Sequence, residues 1–180
     1  MKLYTIGHSN HTIEKFAQLL EDKGIRLVVD VRSAPYSKHN PQFNREFLES
    51  ALKRRGIQYV YEGKFLGGRP ADPTCYKNRK LPPEGTDYLH EVDYQAVMQR
   101  DWFEKGIERL LALAEAQPTA VMCSEEDPSQ CHRHHLIARY LMGGYPDVSV
   151  QHIRGDGTVF GANAILKSVN DEEGEQLSLF

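Results

Sequence analysis

Residues 26–31 read Arg-Leu-Val-Val-Asp-Val, and this short run decides the fold. Its apolar, β-branched residues follow one another without alternation. That pattern suits a strand buried on both faces, as in a parallel sheet covered by helices. On its N-terminal side, residues 2–6 favour a strand that ends at Gly7. Ile13, Phe16, Ala17 and Leu20 then keep helical spacing, with Thr12 placed to cap the helix and Gly24 to end it. On its C-terminal side lies the turn-rich loop SAPYSKHNPQF, residues 33–43. Asn44 is expected to cap a helix bearing Phe47, Leu48, Ala51 and Leu52 that stops at Gly56, and residues 57–61 make the next strand.

Residues 62–86 form a long irregular segment rich in Gly, Pro and basic residues, the kind of loop that is usually functional or disordered. Helical patterns follow over 87–99 and 102–116, the second marked by Ile107, Leu110, Leu111 and Ala114. Residues 119–123 read as a strand, 131–142 as a helix ending at Gly143-Gly144, and 148–153 as a strand paired with a short one near Thr158. Strands alternating with helices imply an α/β fold: a mostly parallel sheet, flanked by helices in three layers, with right-handed crossovers. One domain over 1–167 is expected, followed by an acidic, flexible tail over 168–180.

Ligands of such sheets bind beyond the carboxyl ends of the strands. That rule selects Gly7, His8 and Ser9, then Asp30 and Arg32, Tyr61 and Glu62, Cys123 and Glu125, and His152 and Arg154. Asp30 closes an apolar strand, where a carboxylate is costly unless paired. It reads either as an acid/base group or as the ion-pair partner of Arg32 or Arg133. Glu125 is the second acid/base candidate. His8 and Ser9 occupy a strand-to-helix turn whose amides could hold a phosphate.

The stretch CSEEDPSQCHRHH, residues 123–135, concentrates reactive groups. At about 100° per residue, Arg133 falls on the apolar face of the helix in its first turn, where a buried guanidinium calls for a carboxylate or a phosphate. Cys131 stands at the helix start, where a thiol is acidified and anions are welcome. Three readings stay open. Cys123 could be a nucleophile with His132 or Arg133 beside it. Cys123, Cys131 and His132 could bind a metal, although their spacing is not a usual zinc spacing and no metal is assigned. The cysteines could also be packing residues that fix a loop.

Net charge is −3, which by itself disfavours nucleic acid, but the charge is unevenly spread. Residues 26–80 hold 12 lysines and arginines against 5 acidic residues, interleaved with Tyr36, Phe43, Phe47, Tyr59, Tyr61, Phe65 and Tyr76. Cations among aromatics suit a phosphate backbone with bases to stack on, or else a solvated face over core aromatics. Three cysteines without framework spacing, no signal-peptide pattern and no long apolar run lead us to expect a cytoplasmic protein with no membrane partner.

TIGHSNHTIEKF, LVVDVRSAPYSKHNPQFN, YEGKFLGGRP and MCSEEDPSQCHRHHLIARYL, in that order over roughly residues 1–155, resemble the bacterial and archaeal family called domain of unknown function 488. The resemblance implies a Rossmann-like α/β domain and no particular reaction or cofactor. By position it singles out His8, Ser9, Asp30, Arg32, Phe43, Gly67, Gly68, Arg69, Cys123, Glu125, Cys131, His132 and Arg133. VVDVR and the strand ending in Cys123 also resemble rhodanese-type sulfurtransferases, which would imply sulfur transfer through Cys123. The long acidic loop after Cys123 departs from their short cradle.

The chain ends in QLSLF. Gln176, Leu177, Ser178, Leu179 and Phe180 resemble the pentapeptide that binds the bacterial DNA sliding clamp. That resemblance implies the clamp as a partner, with Gln176 offered to a polar pocket and Leu179 and Phe180 to an apolar one. The expected function is therefore DNA repair, modification or processing at the clamp, with DNA or a nucleotide as ligand and Arg32, Arg69 and Arg133 as anion binders. A sulfurtransferase and a non-catalytic, clamp-associated binding module are the alternatives.

Overall fold

The computed structural model describes residues 1–165. The expected tail, with QLSLF, and the last residues of the expected domain lie outside the described residues. Six strands form one sheet in the order β3-β2-β4-β1-β5-β6. They are β1 (Lys2–Gly7), β2 (Leu27–Asp30), β3 (Gln58–Tyr61), β4 (Thr119–Cys123), β5 (Ser149–Ile153) and β6 (Val159–Gly161). All neighbours pair in parallel except β6, which turns back antiparallel onto β5.

Side-chain alternation along the strands divides the core into two layers. Ile6, Val28, Ala120 and Met122 point to one face, where Phe16, Leu19 and Leu20 of α1 (Ile13–Glu21) and Leu48 and Leu52 of α2 (Arg45–Arg54) cover them. Leu27, Val29 and Val121 point to the other. There they meet Phe103, Ile107 and Leu110, and Leu136, Ile137 and Leu141. The chain is a three-layer, Rossmann-like α/β domain. Among the described residues no helix is long and apolar enough to cross a membrane.

Strand order positions the site. β4 is inserted between β2 and β1. After β1 the chain crosses over to β2 on one side of this pair. After β4 it crosses over to β5 on the other. Such a reversal opens a crevice at the carboxyl ends of the two strands, where Gly7 stands beside Cys123 in register.

Several local expectations hold and several change. Thr12 caps α1 by accepting from the Lys15 amide, and Gly24 takes a positive φ just beyond it. Asn44 stands at the start of α2, but its side chain accepts from the Ser37 amide and does not cap the helix. Phe47 faces solvent, 65 % exposed, because Leu48 and Leu52 already supply the apolar stripe of that helix.

The segment 62–86 contains α3 (Gly63–Leu66) and a 3-10 turn at Pro73–Cys75. The expected helix over 87–99 divides into α4 (Tyr88–Glu91) and α5 (Tyr94–Met98). Val92 bridges to Tyr76 at the break, and Asp93 caps the new start by accepting from the Ala96 amide. α6 (Asp101–Ala116) runs as expected. The helix expected over 131–142 is π-helical over Arg133–Ala138 before continuing as α7 (Arg139–Gly144). A 3.6-residue periodicity cannot show that extra residue per turn.

Candidate functional site

A cleft of about 620 Å³ opens at the carboxyl ends of β1, β2 and β4. His8 and Ser9 form one wall, and Cys123, Ser124 and Glu125 another. Gly68 and Arg69 lie above them, and Tyr88 and Tyr94 close the far side. Ser9 adopts φ +46°, an uncommon conformation for a non-glycine residue that turns the chain sharply away from β1. Two hydrogen bonds hold this turn against β4, from the His8 amide to the Cys123 carbonyl and from the Ser9 amide to the Ser124 carbonyl. Gly7 has no room for a side chain, since an added Cβ would strike the backbone of Glu125 and Glu126.

Behind the cleft wall a polar cluster centres on Asp30, which is fully buried. Arg32 grips both carboxylate oxygens, Nε to Oδ1 at 3.0 Å and Nη2 to Oδ2 at 2.7 Å. The Tyr59 hydroxyl donates to Oδ2 at 2.7 Å, and the Arg32 amide donates to Oδ1 at 3.0 Å. A carboxylate taken out of water needs such partners to offset its burial. Of the two readings of Asp30, this geometry is the ion pair, with Arg32 as the partner.

Arg32 also reaches His8. Nδ1 of His8 donates to the Ser9 carbonyl at 2.8 Å, which leaves Nε2 to accept from Arg32 Nη1 at 3.3 Å. The ring stacks on Phe43 with centroids 4.3 Å apart. Burial, aided by the Arg32 charge, lowers the His8 pKa to about 4. The imidazole at the cleft wall is therefore neutral, with its tautomer set by the backbone.

A second cluster brings Cys123, Cys131 and His132 together. Their donor atoms all lie within 4.8 Å of one another, and all three residues are buried and line the cleft. His132 Nε2 donates to the Val31 carbonyl at 3.2 Å, so Nδ1 faces the two sulfurs, 3.6 Å from Cys123 and 3.9 Å from Cys131. The Arg133 amide points at the Cys131 sulfur, 3.5 Å away.

The two thiols differ in acidity. The Cys123 thiol is pushed up by sharing its proton with the Cys131 sulfur and by burial. Burial opposes ionisation of Cys131 as well. Hydrogen bonding within the group of Cys123 and His132 and the nearby Arg133 charge outweigh it, so the Cys131 thiol lies well below its ordinary value. The acidic sulfur is therefore the one at the start of the π-helical segment.

The Arg133 side chain turns away from the cleft. Its guanidinium donates to the carbonyls of Glu125 and Glu126, the second at 2.6 Å, and is fully buried. A carboxylate or phosphate partner was the expectation for this residue. Loop carbonyls take that place, because the 124–126 loop folds back over the helix start. Arg69 behaves differently. It is exposed at the cleft mouth, its guanidinium lies over the Tyr88 ring at 4.4 Å, and among the described residues no carboxylate pairs with it. The two glycines before it are sterically required. A Cβ on Gly68 would lie 2.6 Å from His132 Cγ, and one on Gly67 would press on Ser33 and the Gly63 carbonyl.

The sequence model of one family, Domain of unknown function DUF488, matches residues 12–141. The chain belongs to this family. No curated protein and no solved structure was found to match it. The matched span of this DUF488 chain runs from the cap of α1 into α7 and includes both clusters, while the His8–Ser9 turn lies just before it.

Within the DUF488 fold, His8, Ser9, Arg32, Arg69, Cys123, Glu125, Cys131 and His132 all line the one cleft. Asp30 and Arg133 stand behind it and hold the wall and the loop. Glu125 is exposed. Its neighbour Glu126 is tied to Arg154 through two hydrogen bonds, at 2.9 and 2.7 Å. The sequence placed Tyr59 only among the aromatics of the basic stretch, not as the partner of Asp30, and Tyr88 and Tyr94 were missed. Tyr59 could have been found from its place on β3, opposite Val28 of the strand that carries Asp30. Tyr88 and Tyr94 belong to an irregular stretch that gave no such signal.

Proposed function

We propose that this chain is a DNA-metabolism protein that is brought to the replication sliding clamp by its QLSLF end and takes DNA or a nucleotide into the β1/β4 cleft. The observation that carries this reading is the cleft mouth. The Arg69 guanidinium lies over the Tyr88 ring in an exposed residue, and Tyr36 lines the same cleft with 58 % of its surface open to solvent. A planar cation and open aromatic faces suit a phosphate and an unstacked base. Lys38, His39 and Arg45 lie on the exposed segments flanking Tyr36, within the basic stretch of the sequence.

The residues divide the work. Arg69 binds the anion, and the Ser9 turn accommodates it against β1. Neutral His8 offers only the acceptor Nε2 at the wall, which Arg32 engages. Glu125 is an exposed carboxylate of the cleft available to move a proton. Asp30 and Arg133 act through others, as positioning residues. Sulfur transfer through Cys123 draws no support from this arrangement, since such a nucleophile needs a depressed pKa and the Cys123 thiol is shifted the other way.

Fluorescence anisotropy with a labelled single-stranded oligonucleotide tests the cleft. Binding should weaken steeply with salt, and Arg69→Glu should reduce affinity about tenfold or more, as expected for losing and inverting a phosphate contact. Equal binding by wild type and Arg69→Glu across salt concentrations would remove nucleic acid from this cleft.

A further inference from the structure

We infer that Cys123, Cys131 and His132 form a three-ligand site for a thiophilic divalent ion of the zinc type, with its fourth coordination position open to the cleft. This stands whether or not nucleic acid is the ligand of the cleft.

Spacing is the first argument. Zinc–sulfur and zinc–nitrogen bonds of about 2.3 and 2.0–2.1 Å at a tetrahedral angle put a sulfur and a nitrogen about 3.6 Å apart. The Cys123 Sγ to His132 Nδ1 distance is 3.6 Å, and Cys131 Sγ to the same nitrogen is 3.9 Å. Two sulfurs bound this way stand about 3.8 Å apart, and the whole trio fits within 4.8 Å. These separations admit hydrogen bonds through a thiol, and they equally match ligands around one ion.

The supporting shell is the second argument. A metal-binding histidine usually donates its other nitrogen to a carbonyl or carboxylate, which fixes the ring. His132 does this with the Val31 carbonyl, at the end of the buried strand run. A thiolate ligand gains from a backbone N–H donor, and Cys131 has the Arg133 amide. Gly68 packs against the ring face so closely that even a methyl group there would collide with it. The ring is thus held with its Nδ1 lone pair aimed at the sulfurs.

Donor chemistry is the third argument. Two thiolates and an imidazole prefer a soft or borderline ion to magnesium or calcium. Among the described residues no fourth His, Cys, Asp or Glu joins the group. Three protein ligands with an open position are the pattern of zinc sites that bind water or a substrate oxygen, whereas structural sites are closed by four. All three ligands line the cleft that Glu125 also lines, so the open position would be reached from the cleft.

Metal analysis of the purified full-length chain, before and after stripping with a chelator and reloading with zinc or cobalt(II), tests the site. The expected result is about one ion per chain. The cobalt form should show a sulfur-to-cobalt charge-transfer band and the intense visible bands of tetrahedral coordination. Cys131→Ser and His132→Ala should lose the ion, whereas Cys75→Ser, which changes the cysteine outside the group, should keep it.

X-ray absorption of the unaltered cobalt form makes the result independent of whether the variants fold, and should count two sulfur neighbours. An octahedral, oxygen-only cobalt spectrum would overturn the proposal. So would no stoichiometric binding under reducing conditions, or a Cys123–Cys131 disulfide that resists reduction.

Discussion

Asp30 shows what one residue contributes to this site. A carboxylate at the end of a run of valines had two readings, and the structure places Arg32 and Tyr59 on it. Arg32 then passes the constraint to His8, which remains neutral. Three buried histidines share that state. His8 and His134 are lowered to about 4, and His152 to about 3, in each case chiefly by burial. His152 accepts or donates between Thr5 at 2.7 Å and His134 at 3.1 Å, on the opposite face from Asp30.

An unfolded histidine titrates near 6.5, so between about pH 6.5 and 4 the unfolded chain binds protons that the native chain refuses. Stability contributed by these residues is complete above pH 6.5 and is lost on acidification through that window. Each group adds a slope of about 1.4 kcal/mol per pH unit. Glu62, raised by burial, works in the opposite sense, as one group against three. Urea unfolding midpoints should therefore fall from pH 7 to pH 5, before most carboxylates titrate. A midpoint that stays level over that range would show these histidines to be hydrated.

At the scale of elements, strand content was legible because apolar runs such as Leu-Val-Val leave few alternatives. The Thr119–Cys123 strand needs no revision. What could not be read were departures from ideal periods. The π-helical stretch over Arg133–Ala138 departs from the 3.6-residue period, and His132, Arg133 and His134 are all buried at its start. The break at Val92 and Asp93 was equally silent, since it depends on Tyr76 from a distant loop. The site was legible as a set of strand-end residues. Its division into cleft-lining and supporting groups was not, because a guanidinium can turn toward loop carbonyls as readily as toward a ligand.

Arg133 joins the start of the π-helical segment to the loop after β4, through the carbonyls of Glu125 and Glu126. Arg133→Met keeps the volume of the stem and leaves those carbonyls unpaired. Each unsatisfied buried group costs about 1–3 kcal/mol, so the variant should lose about 2–4 kcal/mol in chemical denaturation. Amide exchange should quicken over residues 124–127 first. Wild-type stability and exchange in Arg133→Met would mean that the loop holds itself.

On the scale of the whole molecule, the proposed function separates a place from an activity. The DUF488 fold builds a cleft at the reversal between β1 and β4, and the sequence beyond the described residues carries a motif that resembles an address for the clamp. If both serve one function, joining them should raise the local concentration of the cleft at DNA on the order of a hundredfold or more, as linked binding does.

Anisotropy of a primer–template junction, bare and with the sliding clamp loaded on it, measures this directly. The full chain should bind the clamp-loaded junction far more tightly than the bare one. Deleting residues 176–180 should abolish the difference, and Arg69→Glu should weaken the binding that remains. Equal affinity for loaded and bare DNA, unchanged by the deletion, would contradict the proposed function.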